Sequence, residues 1–264
     1  MDMGDYHTLV ERLRPQRRLA IAFSGGIDSS LVARAAVDAG IDALAITVDG
    51  PLFSRRSMAQ AAEVAQEIGI SQVVVTTDYL PLEQSPQRCH HCKAVLARIW
   101  KQTAREHGYG RVADGVTGAE LADPRLPGAR AAGQAGIWHP LAEAGMEEDD
   151  IRGTARRLGL STWKAPGESC LASRVAFGEP VTRGKLHMVE AAEDHLHSLI
   201  GSGVVRVRLH GGLARIEVDP DDFSTLLHHR TSIARTLLKL GFDQVTLDLQ
   251  GYRSGSMHVS RQGP

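Results

Sequence analysis

Two short stretches of this chain gather residues that can do chemistry. Arg88–Lys93 reads RCHHCK, with two cysteines three residues apart, two histidines between them and a cation on either side. Ser24–Ser29 reads SGGIDS, after the apolar run Leu19–Phe23 and before a helical pattern. In the second stretch Gly25 and Gly26 let the backbone turn sharply and present its N–H groups. The start of a helix adds partial positive charge, so an anion is favoured there. The hydroxyls of Ser24 and Ser29 can donate to phosphate oxygens, and Asp28 can hold a magnesium ion that bridges them. No Gly-Lys-Ser/Thr follows, so this is not a Walker A loop. The expected ATP-binding set is Ser24, Gly25, Gly26, Asp28 and Ser29, with Asp28 also catalytic.

In RCHHCK the spacing puts both sulfurs on one side of a helical turn. Arg88 and Lys93 beside them favour thiolates. The chain has three cysteines, and the third, Cys170, stands in GESCLASR. Three arrangements are open on these residues alone. Cys89 and Cys92 can form a redox dithiol, although thioredoxin-like surroundings are missing. They can bind zinc with Cys170 and a histidine. Or Cys89, Cys92 and Cys170 can hold a [4Fe-4S] cluster, leaving one iron without a protein ligand and able to carry an extra sulfide.

These residues must be positioned by elements legible in the first half of the chain. Leu19–Phe23, Ala43–Val48, Gln72–Thr76 and Arg111–Asp114 read as strands. Ser29–Gly40, the stripe Met58, Ala61, Ala65 and Ile68, and Ala94–His107 read as helices between them. That alternation predicts an α/β fold with a parallel sheet covered on both faces. Val116–Gly136 and Trp163–Pro180 read as long functional loops, with a helix over Glu147–Leu158 between them. Beyond lies a smaller α+β pattern: helix Lys185–Ile200, strands Val204–His210 and Leu213–Val218, helix Phe223–Leu240 and strand Val245–Leu249. The domains expected are 1–175 and 176–264, with the boundary near Ala176.

Composition narrows the class. With 42% hydrophobic and 23% charged residues among 264, the chain is an ordinary soluble globular protein. No apolar run approaches the roughly 20 residues of a membrane span, and the polar start MDMGDYHTLVERLRPQRR has no signal-peptide core. We therefore expect a cytoplasmic protein with reduced thiols. The net charge of −1 offers no bulk attraction to nucleic acid.

SGGIDS resembles the PP-loop of ATP pyrophosphatases, which implies cleavage of ATP between the α and β phosphates and adenylation of an acceptor oxygen. RCHHCK, HPLAEAGMEEDDIRGTARRLGLSTWKAP, SCLASRVAFGEPVT, VRVRLHGGLARIEV and GFDQVTLDLQGYRSGS are together similar to the LarE-type sulfur insertases. Membership of that family implies ATP, Mg2+ and a pyridinium mononucleotide whose carboxylates become thiocarboxylates, in biosynthesis of the nickel-pincer nucleotide cofactor. Some members give up the sulfur of one cysteine, matching Cys170 here. Others carry three, matching Cys89, Cys92 and Cys170, and hold a [4Fe-4S] cluster; this chain resembles the second kind. One loop departs from the family. GVTGAELADPRLPG keeps Glu120, Asp123 and Arg125, but Val116, Thr117 and Ala119 replace the residues expected, and Leu126 is inserted.

A two-residue Gly211-Gly212 turn sets His210 opposite Leu213. Val205, Val207 and Leu209 then share the buried face with Ala214, Ile216 and Val218. On the other face Arg206 meets Glu217 and Arg208 meets Arg215. Like charges directly opposite destabilise a strand pair, so an anion is expected between them, and a mononucleotide phosphate fits guanidinium groups. Arg206 and Arg208 also match the family's V-R-V-R block. Arg215, Arg174 and Arg253 complete the expected substrate-binding set. His228 and His229 are expected on an exposed helical surface. The partners expected are the small pyridinium nucleotide and further copies of the chain as a homo-oligomer, with neither membrane nor nucleic acid. The rival functions are a tRNA thiolase, which wants a basic surface, and a non-catalytic nucleotide-binding metal protein.

Overall fold

The structure is a computed structural model that describes residues 4–201 and 203–258. Internal contacts divide the chain into two units. The first runs to Asp78 and resumes over Gln87–Glu168; the second comprises Tyr79–Pro86 and the chain from Ser169 onward. The division after Glu168, rather than near Ala176, assigns Cys170 and Arg174 to the second unit.

In the first unit the elements are α1 (Gly4–Leu13), β1 (Arg18–Ala22), α2 (Ile27–Asp38), β2 (Asp42–Asp49), α3 (Arg55–Ile68), β3 (Ser71–Thr76), α4 (Arg88–Glu106), β4 (Val112–Ala113), α5 (Gly118–Ala122), α6 (Pro127–Gln134), α7 (Pro140–Ala144) and α8 (Glu148–Arg157). The sheet order is β3-β2-β1-β4, and every pair is parallel. Alternate residues of β1 explain its unbroken apolar run. Leu19 and Ile21 enter one core with Leu31, Val32, Val64 and Ile151. Ala20 and Ala22 enter the other with Leu96, Trp100 and Ile137. A central parallel strand is buried on both faces and so reads as continuous hydrophobic sequence.

The stretch 116–136 is not the long loop its composition predicts. Thr117 and Glu120 form a reciprocal capping box that starts α5, and Pro127 in the first turn starts α6, which buries Ala129, Ala131 and Ala132. Helices this short, built of alanine and glycine, carry too little contrast to show a 3.6-residue stripe.

The second unit contains α9 (Arg183–Ile200), β5 (Val205–His210), β6 (Leu213–Val218), α10 (Phe223–His228), α11 (Arg230–Leu240) and β7 (Gln244–Leu247). β5 and β6 are antiparallel in the register that the Gly-Gly turn predicts, with His210 opposite Leu213, Arg206 opposite Glu217 and Arg208 opposite Arg215. β7 pairs parallel to β6. The single helix expected over Phe223–Leu240 is two, broken at His229; His228 is exposed and His229 half-buried. Trp163–Pro180 holds two 3-10 turns, Ser161–Lys164 and Leu171–Arg174, the first beginning just ahead of it. Val175 bridges Leu209 along the edge of β5.

Candidate active site

The phosphate loop follows β1. Gly25 has φ +72°, and a Cβ there would stand 2.5 Å from Ala61 Cα on α3, so only glycine satisfies both the backbone and the space. Its carbonyl accepts from Gln60 Nε2 at 2.9 Å. Gly26 caps α2 without a side chain, so nothing of its own competes for the first amides of that helix. Ser29 Oγ donates to the Gly26 carbonyl at 3.1 Å and lies 3.2 Å from Ser24 Oγ. Gly115, just past β4, closes in on the same loop: a Cβ there would lie 2.6 Å from Ser29 N and 2.8 Å from Asp28 Cβ. All five residues expected to bind ATP are therefore together.

Asp28 is costly to ionise. Burial pushes its carboxyl up to about 6, Glu120 and Glu148 add to the rise, and Arg152 opposes it. Glu120 is placed by the capping box at the start of α5, so the departing loop supplies a charge that acts on Asp28. A divalent cation reverses such a balance, and on this ground the carboxylate fits a magnesium ion.

Cys89 and Cys92 lie in the first turns of α4. Arg88 is almost wholly buried, with Nη2 3.2 Å from Cys89 Sγ and Nη1 4.0 Å from Cys92 Sγ. One guanidinium stands beside both sulfurs, and cysteine sulfurs are the donors that suit iron–sulfur clusters. The pair thus fits such a group. His90 is 3.4 Å from Gln134 Oε1 on α6, and Gly128 of that helix would bring a Cβ within 3.3 Å of the Cys89 carbonyl. Among the described residues no group of three or more His, Cys, Asp or Glu side chains is gathered closely enough to hold a metal ion.

In the second unit Cys170 caps the 3-10 turn Leu171–Arg174. Arg174, expected on the substrate, is instead committed within the protein. Its Nε and Nη2 donate to Glu193 at 2.9 and 3.1 Å, and its Nη1 to the carbonyls of Ser169 and Cys170 at 2.7 and 3.2 Å. It is 1% exposed. The polar face of the hairpin is buried as well, with Arg206 2%, Arg208 5% and Glu217 0% exposed. The anion between Arg208 and Arg215 is the protein's own: Glu217 accepts from Arg208 Nε at 2.9 Å and from Arg215 Nη2 at 2.8 Å. Arg206 donates to the Val205 carbonyl at 2.8 Å and lies 5.7 Å from the centre of the Tyr252 ring. Burial pushes the Arg208 guanidinium down from its ordinary value; Glu217 opposes this, and the charges of Arg174 and Arg206 add to it. Arg253 is half exposed, 3.9 Å from Asp248 Oδ2, the carboxylate that Arg215 Nε approaches to 3.7 Å.

No family model matches the chain. Among characterised and uncharacterised relatives, it is 35% identical to the pyridinium-3,5-bisthiocarboxylic acid mononucleotide synthase of Lactiplantibacillus plantarum, over 95% of this chain and 92% of that one. The chain belongs to the LarE-type family of ATP-dependent sulfur insertases. An uncharacterized protein of Synechocystis is 39% identical over 91% of this chain and 92% of its own length. Among solved structures, NMN synthetase from Francisella tularensis aligns with a TM-score of 0.50 over 62% of this chain and 74% of that one. At 16% identity this likeness speaks for the α/β PP-loop fold alone.

Set within the LarE-type family, several of the residues that shape the site carry no motif signal of their own. Gly115 is an isolated glycine until β4 places it on Asp28. Glu193 and Glu217 read as surface acids on a helix and a strand. Arg88 reads as one more cation beside a cysteine, and only the start of α4 shows that it reaches both sulfurs. Among the described residues no helix is long and apolar enough to cross a membrane.

Proposed function

We propose that this enzyme binds ATP with Ser24, Gly25, Gly26 and Ser29, and that Asp28 holds a magnesium ion against the phosphates. A carboxylate oxygen of a pyridinium mononucleotide attacks the α-phosphorus, and pyrophosphate leaves with the electrons of the broken P–O bond. The acyl adenylate then loses AMP to a sulfur nucleophile, so the carboxylate becomes a thiocarboxylate and its former oxygen departs on AMP. Of the hairpin arginines, the partly exposed Arg215 and Arg253 are assigned to the substrate phosphate; the buried Arg206 and Arg208 stand behind them, Arg208 through the Glu217 that it shares with Arg215, and Arg174 holds the backbone of Cys170. The observation that carries the reading is the phosphate loop: an uncapped helix start with two hydroxyls beside a carboxyl held near 6 by burial and acidic neighbours. Such a loop offers amides to phosphate and a charge deficit to a cation.

Cys89, Cys92 and Cys170 are the proposed thiolates for a [4Fe-4S] cluster in a cytoplasmic setting. When bound, the cluster supplies an iron without a protein ligand that can carry the sulfide. A second reading rests on the hold that Arg174 has on the backbone of Cys170: there Cys170 gives up its own sulfur. The test of the function is product analysis. Pyridinium-3,5-biscarboxylic acid mononucleotide, MgATP and anaerobically prepared enzyme should yield AMP, pyrophosphate and a product heavier by the exchange of oxygen for sulfur. AMP formation independent of the carboxylate, or no AMP at all, would remove the assignment.

A further inference from the structure

Asp114 and His139 form a buried pair with no role in the reading above. His139 Nδ1 lies 2.7 Å from Asp114 Oδ1, with side-chain exposures of 11% and 4%. His139 Nε2 and Asp114 Oδ2 are both buried without a hydrogen-bond partner among the described residues. Leaving two polar atoms buried and unmet disfavours the folded state, and such atoms call for an explanation. A turn could be held as well by a smaller amide.

The pair sits directly behind the phosphate loop. Asp114 Oδ1 also accepts from Val116 N at 3.1 Å, which shapes the turn after β4. That turn presents Gly115 to Asp28 and Ser29, then starts α5 at Thr117, whose Glu120 raises Asp28. The ring is fixed from its other sides. The Trp138 backbone, next to it, is paired to β4 through Asp114 N at 2.9 Å, His139 caps α7, and a Cβ on Gly133 of α6 would stand 3.0 Å from Nε2.

We propose that His139 is a positioning residue for the nucleotide: through Asp114 it holds the Gly115–Thr117 turn against the phosphate loop. The inference rests on the phosphate-loop reading. The test is calorimetric titration of MgATP into wild-type protein and three variants, with melting temperatures measured alongside. His139→Leu removes the donor to Asp114 and should weaken MgATP about tenfold, the size of one charge-assisted hydrogen bond lost. His139→Asn, whose amide can donate from near the Nδ1 position, should remain within about twofold. Gly133→Ala pushes on the ring from α6 and should weaken MgATP severalfold in a folded protein. Unchanged affinity in His139→Leu and Gly133→Ala, whatever their melting temperatures, overturns the proposal, as does His139→Asn binding as poorly as His139→Leu. If His139→Leu does not fold, Gly133→Ala decides. Absence of MgATP binding in wild type removes the phosphate-loop reading and this inference together, whereas tight wild-type binding with unaffected variants sinks the inference alone.

Discussion

Arg208 donates from Nε to Glu217 Oε2 at 2.9 Å, and the Glu217 carboxylate is wholly buried. Ser256 Oγ donates to both of its oxygens at 2.8 and 3.0 Å, and Arg215 to one. The cross-strand pair of like charges is thus bridged from within. Removing Arg208 leaves that buried carboxylate to Arg215 and Ser256 alone, so Arg208→Ala should lose roughly 1.5–3 kcal/mol of stability, the range for one hydrogen bond to a charged group. Denaturant unfolding measures it. Separate titrations of substrate and MgATP should show weaker substrate and unchanged MgATP. An unaltered midpoint would mean that Arg215 and Ser256 suffice to hold Glu217.

Asp28 yields a prediction with a definite pH window. Its folded value of about 6 lies above the ordinary carboxyl value of 3.8, so folding disfavours its charged form. That cost is full above pH 6, shrinks as pH falls from about 6 towards 4, and vanishes once both states are protonated. Asp28→Asn should therefore be more stable than wild type at pH 7.5 without ligand, by on the order of 2–3 kcal/mol. The gap should close on acidification. The same variant should release no pyrophosphate, because the carboxylate for magnesium is gone. A gap that stays constant with pH would mean that the charge of Asp28 carries no folding cost.

The strands of the first unit are legible in sequence because the middles of β1 and β2 are covered on both faces and are apolar along most of their length. The hairpin register is legible because two glycines in a two-residue turn leave little choice. What alternation cannot show is whether the second face of a hairpin is also covered. Arg206, Arg208 and Glu217 look like a solvated face and are buried. Long-range pairs are equally silent: nothing near Arg174 in sequence names Glu193, and nothing near Gly115 names Asp28. The SGGIDS loop is legible because its function is local, made by one turn and one helix start.

Gly115→Ala tests how tightly β4 backs the loop. The new methyl group would meet Ser29 N at 2.6 Å, with Asp28 backbone next to it. Neither neighbour is the far end of a flexible side chain, so the loop must shift. Overpacking of this kind costs about 1–3 kcal/mol, and MgATP affinity should fall at least tenfold while the protein stays folded. Binding at the wild-type level, with a normal melting temperature, would show that the loop yields without consequence for the nucleotide.

The cysteines separate the two sulfur sources. Protein prepared without oxygen should carry about four irons per chain and absorb broadly in the visible if all three thiolates ligate a cluster. Replacing Cys89, Cys92 or Cys170 by serine should then each remove most of the iron, abolish sulfur transfer and leave adenylation, which belongs to the phosphate loop, near wild type. Arg88→Met keeps the sulfurs but removes the guanidinium 3.2 Å from Cys89. It should shift the reduction potential of the bound cluster, because hydrogen bonds to sulfur tune that potential. The sacrificial route predicts another pattern: Cys89→Ser and Cys92→Ser stay active, only Cys170→Ser is dead, and after turnover the chain is lighter by the elements of hydrogen sulfide at Cys170. Active protein without iron, or full activity in Cys89→Ser, would therefore end the cluster assignment and make Cys170 the donor.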